Sequence, residues 1–244
     1  AHARNAVVAY AQFGGANNKP GALPCPDRSD PSEPDDSDQL GQAGHHCQGA
    51  PDEVYLGRLP WRTVDLARQH GDRSPGIWYA IDGDFADDPD VPPASAVNPG
   101  TAGELTLGGQ SYAAVLILAG DPLAEQTAPE DRPGIDPRAY LEDLNSKAAT
   151  EAEAKAFIDC VDIEGCNDRV IGITAERLLG RVPAHVLDDV ADTLTDYYTS
   201  FGYFPWAADE GGDGTCDSGV TRGLLPSGAE VAPTQSRSPH IVCD

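Results

Sequence analysis

The chain has 244 residues and a formal net charge of -24, from 40 acidic against 16 basic side chains, so most of its surface repels nucleic-acid phosphates and anionic lipid headgroups. It is long enough to bury a substantial core, and no run of about 18 apolar residues marks a membrane span. Six cysteines in a loop-rich sequence point to disulfides and an oxidising compartment rather than to cytosolic metal or redox chemistry.

Val7, Val8 and Ala11, with Ala3, form an apolar stripe at helical spacing that Gly14-Gly15 ends. Residues 1–13 therefore read as the C-terminal half of a helix whose earlier part precedes Ala1, an apolar segment expected to be missing here along with any signal peptide. Residues 16–51 are rich in Asn, Pro, Asp, Gly and Ser and form a long loop that needs a tether, which Cys25 paired with Cys47 would supply. Val64, Leu66 and Ala67 predict a short helix over 61–69, stopped at His70-Gly71. Ile77 to Asp82 reads as a strand.

A hairpin is expected from 104–107 and 111–119 around Gly108-Gly109, and the unbroken apolar run 113–118 marks a central strand buried on both faces. Asp136 and Pro137 have the chemistry of an N-cap and first helical residue, giving a helix over about 137–145, and 170–173 is a further strand. The best helix runs from Pro183 to about Ser200, with Val186, Val190, Leu194, Tyr197 and Phe201 on one stripe and Gly202 as its cap. The tail 207–244 turns to Gly, Asp, Pro and Ser and needs a staple, and nearest-neighbour pairing gives Cys216 with Cys243 and, upstream, Cys160 with Cys166.

Acidic clusters are the metal candidates, because calcium takes several oxygens from a flexible loop. One comprises Asp82, Asp84, Asp87, Asp88 and Asp90; a second Asp209, Glu210, Asp213 and Asp217; a third Asp27, Asp30, Asp35, Asp36 and Asp38. None has EF-hand spacing, and solvated loops are the ordinary reading of so much aspartate. His45-His46-Cys47 with Cys25 could ligate zinc, but no second close-spaced ligand pair accompanies them and a disulfide is preferred. For catalysis there is no G-x-S-x-G, P-loop, H-E-x-x-H or G-x-G-x-x-G. Asp188-Asp189 fits a solvated helix face better than a glycosidase pair, His70 and His185 stand isolated, and Trp61, Trp78 and Trp206 suit core plugs better than a sugar cleft.

An ordered series of short blocks runs through the chain. It comprises Leu23-Pro24-Cys25-Pro26-Asp27, Leu56-Gly57-Arg58-Leu59-Pro60-Trp61, Ile77-Trp78-Tyr79-Ala80-Ile81, the stretch 113–120, Tyr140-Leu141-Glu142, Asn167-Asp168-Arg169-Val170, and Gly202 through Ala207. In order and rough spacing this series resembles the soluble part of type IV pilin-like and pseudopilin proteins. The resemblance implies an α+β fold in a single domain over 1–244, with an N-terminal helix on an antiparallel sheet of four or five strands, further helices and disulfide-stapled loops. It also implies a structural subunit, not an enzyme, exported with a prepilin leader and anchored in the inner membrane. Its partners would be other subunits, met through an apolar helix in a pilus or type II secretion filament outside the inner membrane. The prepilin segment and the acidic residue used in assembly would lie ahead of Ala1. Two further readings stand beside this one: a secreted calcium-dependent binding or adhesion module, and a secreted hydrolase in which two carboxylates converge in a cleft.

Overall fold

Strand β2 (Ile77–Asp82) sets the plan of the protein, because both of its faces are covered. Ile77, Tyr79 and Ile81 point into one core cluster, and Trp78 and Ala80 into another on the opposite face. This double burial is what an apolar strand without polar alternation requires. The computed structural model describes residues 1–13, 19–29, 39–44, 47, 54–67, 76–87, 97–98, 100–123, 126, 136–147 and 155–204. The chain divides into two compact units, 1–183 and 184–244.

The first unit is α+β. Its main sheet is antiparallel in the order β1-β2-β5-β7, with β1 (Val54–Arg58), β5 (Ala114–Leu118) and β7 (Arg169–Ile173). β5 is central and its first four residues are buried, as the run 113–118 predicts. Helix α1 (His2–Gln12) buries Val7, Val8 and Ala11 in the same cluster as Leu23, Tyr55, Tyr79, Ile81, Phe85 and Leu116. The other cluster brings Trp78, Val115, Ile117 and Val170 together with Leu105, Tyr140 and Phe157.

A second sheet has the order β4-β3-β6, from β3 (Leu105–Leu107), β4 (Gln110–Tyr112) and β6 (Ala156–Phe157), with β3 and β6 parallel. The predicted hairpin therefore forms at Gly108-Gly109, both at positive φ, but its second strand is split. Ala113 is the crossing point. Its N–H donates to the Ile173 carbonyl at 2.9 Å and its carbonyl accepts from Asp82 N–H at 3.0 Å, which passes the chain from the small sheet into the large one. Gly172 has no room for a Cβ beside the Tyr112 ring, so the ring at the end of β4 closes over the edge strand.

Two predicted helices differ from expectation. Of residues 61–69, the described 61–67 do not make one: Trp61–Asp65 is a single turn, in which Val64 N–H reaches the Pro60 carbonyl at 3.1 Å. Asp65 then enters the left-handed region at φ 53°, and Leu66 N–H closes on the Trp61 carbonyl at 2.7 Å, a helix-stop geometry. Residues 137–145 break into a 3-10 turn (Pro137–Ala139), capped by the Asp136 side chain as expected, and helix α2 (Asp143–Lys147). Helix α3 (Ala175–Leu179), capped by the Thr174 hydroxyl, follows β7.

Helix α4 (Val182–Phe201) leads into the second unit. Tyr197 is buried against Phe201 and Tyr203, with ring centroids 4.7 and 5.8 Å away, and Tyr198 stacks on Phe204 at 5.0 Å. Gly202 caps the helix at φ 77°, its N–H on the Tyr198 carbonyl at 2.7 Å, as the sequence predicts. The Val186 side chain and everything beyond residue 204, including the 207–244 tail, lie outside the described residues.

Candidate functional site

Cys25 and Cys47 are bridged across 22 residues, with Cα atoms 5.1 Å apart, and Cys160 and Cys166 across 6, at 5.3 Å. Both bridges match the predicted pairing, and both accord with an oxidising environment. Cys216 and Cys243 lie outside the described residues. With its sulfur in a bridge, Cys25 has no thiolate for zinc; His45 and His46 lie outside the described residues.

The block from Leu23 to Asp27 is a seam. Leu23 N–H donates to the Phe85 carbonyl at 2.6 Å, and its own carbonyl accepts from Asp87 N–H at 2.7 Å. Asp27 exchanges two backbone bonds with Arg58, at 2.9 and 2.8 Å. Its buried carboxylate accepts Ser29 N–H at 2.9 Å on Oδ1 and Gly41 N–H at 2.6 Å on Oδ2. One side chain thus fixes both ends of the described loop inside the Cys25–Cys47 bridge. Gly41 is needed there, since its φ is 81° and a Cβ would strike the Trp61 ring.

Of the expected calcium residues, Asp82, Asp84 and Asp87 lie among the described ones. Asp82 is buried, and its Oδ1 accepts Asp84 N–H at 3.1 Å while its Oδ2 accepts Glu104 N–H. Burial is the main cause that raises its pKa, against those two backbone donors that lower it. Asp87, also buried, takes the Tyr10 hydroxyl at 2.8 Å on Oδ2 and so ties α1 to the segment that follows β2. Asp84 is exposed. Asp82 and Asp87 thus each accept donors from the chain itself. Asp88, Asp90, Asp209, Glu210, Asp213 and Asp217 lie outside the described residues, as do Asp30, Asp35, Asp36 and Asp38.

Two other carboxylates do converge. Glu142, after the 3-10 turn, and Asp168, before β7, are buried with Asn145 between their segments. Glu142 Oε2 accepts Asn167 N–H at 3.0 Å and Asp168 N–H at 3.1 Å, and Oε1 accepts the Gln126 amide at 3.0 Å. Asp168 Oδ2 accepts Glu142 N–H at 3.1 Å and Asn145 Nδ2 at 3.0 Å, while its Oδ1 is buried without a hydrogen-bond donor. Asn145 also pairs with both backbone groups of Ile158, at 2.9 and 3.0 Å. Burial, with Glu142 as a neighbouring charge and hydrogen-bond partner, pushes the Asp168 carboxyl up to about 6.

A Glu142 oxygen lies within 4.8 Å of both sulfurs of the Cys160–Cys166 bridge. The closed bridge leaves no thiolates there for a metal. Sequence reasoning quotes Glu142 and Asp168 within its ordered blocks but assigns them no role. No local signal relates two carboxylates 26 positions apart, and only the break between the 3-10 turn and α2 turns one toward the other. The pair is closed to solvent, with Asp168 at 0% and Glu142 at 7% exposure, unlike the open cleft that a hydrolase needs.

Compared with known proteins, the chain matches no protein-family model, no curated protein and no solved structure. No helix among the described residues is long and apolar enough to cross a membrane.

Proposed function

We propose that this chain is the globular part of a filament subunit of the type IV pilus or type II secretion class. The observation that carries the reading is the commitment of α1 to the core. Val7, Val8 and Ala11 share a cluster with Tyr79, Ile81 and Leu116 of the antiparallel sheet, and Tyr10 is bonded to Asp87. A helix clamped in this way transmits load from an upstream apolar half, packed in a filament axis, to a globular surface outside. The acidic surface and the closed 25–47 loop suit the outside of such a filament. In this reading the protein is anchored in the inner membrane before assembly, meets copies of itself or related subunits through the upstream helix, and makes and breaks no bonds.

Terminal-peptide mass spectrometry of the protein recovered from its native cell envelope tests this. The expected result is an apolar helix of about 20 residues ahead of Ala1, bearing an N-methylated first residue. A mature chain beginning near Ala1 overturns it.

A further inference from the structure

We propose that Glu142 and Asp168 share one proton and form a pH-operated latch between residues 142–147 and the disulfide loop 158–168, closed in acid and loosened above neutrality. The proposal does not depend on the filament reading. The two carboxyls and Asn145 beside them carry hydrogen bonds across this junction. Glu142 holds the N–H groups of Asn167 and Asp168, Asp168 holds the N–H of Glu142, and Asn145 holds Ile158.

The protonation state follows from counting donors. Glu142 receives three, from Asn167, Asp168 and Gln126, which suits an anion. Asp168 receives two, both on Oδ2, and its buried Oδ1 has none. A hydroxyl at Oδ1 removes one of two adjacent buried charges and gives that oxygen a role as donor, with the Glu142 carboxyl as its hydrogen-bonding neighbour.

No Lys, Arg or His nitrogen pairs with either carboxyl among the described residues. Arg169 is turned to Asp159 at 2.9 Å, and Lys155 to Glu104. Asp159 also takes Val170 N–H, the Asp121 carbonyl takes the Asn167 amide, and α2 contributes Asn145 and, at its end, Lys147. Among the described residues the groups bonded to the two carboxyls are amides and backbone donors, none of which carries a positive charge. Loss of the proton to solvent leaves two buried carboxylates facing each other, and the segments they join separate.

Hydrogen exchange of the intact protein, corrected for intrinsic rates, tests the latch at about pH 5 and about pH 8. The expected result is a loss of about tenfold to a hundredfold in protection at the amides of Glu142, Ile158, Asn167 and Asp168 at the higher pH, with Tyr79 and Leu116 unchanged. Asp168→Asn, whose amide can donate to Glu142 but cannot titrate, keeps that protection at both pH values.

Equal protection of the wild-type amides at both pH values overturns the proposal, as does a D168N protein that remains equally pH-dependent. The carboxyl carbon resonance of Asp168 in the wild-type protein supplies a check that needs no variant: a midpoint near 6 is expected, and one near the ordinary value of about 4 refutes it. Recovery of protection at the higher pH on adding about 1 mM calcium would replace the shared proton with a bound cation and overturn the latch as stated.

Discussion

Asp27 shows how little a side chain's type says about its task. In sequence it is the first member of an acidic cluster; in the fold it is a buried acceptor for Ser29 and Gly41. Two hydrogen bonds to a charged acceptor are each worth about 1.5–3 kcal/mol, so Asp27→Ala is expected to cost about 3 kcal/mol or more in urea unfolding. Asp27→Asn retains one acceptor oxygen and should cost less. A loss below about 1 kcal/mol for the alanine variant would show that the loop is held by its disulfide alone.

Tyr79 sits at the centre of β2 with no exposure, and burial, with Tyr10 beside it, holds its phenol well above the ordinary value of about 10. Because the folded state favours the proton, this contribution to stability is present below that ordinary value and lost as pH rises through the higher folded one. Ultraviolet titration should find one tyrosine that ionises only together with unfolding, and Tyr79→Phe should abolish that step.

Helix α1 depends on the sheet for its existence, since eleven residues make a marginal helix in water. Truncating its fully buried Val7 to Ala is expected to cost about 2 kcal/mol in transfer and cavity terms, and Val7→Asp to unfold α1 from the core. Circular dichroism with chemical denaturation separates the two; a neutral Val7→Ala would mean that the helix contributes nothing to the core.

The strand readings at 77–82 and 170–173 were legible from short apolar, β-branched or aromatic runs, and the long helix near 183–200 from an apolar stripe at helical spacing. The helix at 61–69 was not a sound reading, because a stripe of three apolar residues cannot show that Asp65 will turn left-handed. Strand β1 went unread since its Gly57 and Arg58 weaken the strand pattern, and Gly57 is required where the Asp27 carbonyl and Pro26 approach too closely for a Cβ.

Across the first unit the two disulfides close loops of unequal length, and their worth should differ accordingly. Replacing Cys25 and Cys47 together by Ser is expected to remove about 3 kcal/mol, and the Cys160/Cys166 double variant about 2 kcal/mol, on chain-entropy grounds. Thermal unfolding of both at about pH 5, where the latch is closed, gives the comparison. A larger loss for the shorter loop would show that the Glu142–Asp168 network needs its bridge to form. Non-reducing peptide mapping is expected to recover both bridges and the proposed Cys216–Cys243 pair; free thiols at the last two would remove that pairing.

Composition and local pattern pointed to an acidic chain with an apolar-faced first helix, a doubly buried central strand and cysteines paired with their nearest neighbours. Each of these rests on residues that are neighbours in the chain or repeat at a fixed period. The split of the hairpin between two sheets, the clustering of α1 with Tyr79 and Ile81, the employment of Asp27, Asp82 and Asp87 as internal acceptors, and the meeting of Glu142 with Asp168 were decided by tertiary structure. A carboxylate's role is set by the donors and charges the fold brings to it, and these come from residues too far along the chain to leave a local signature.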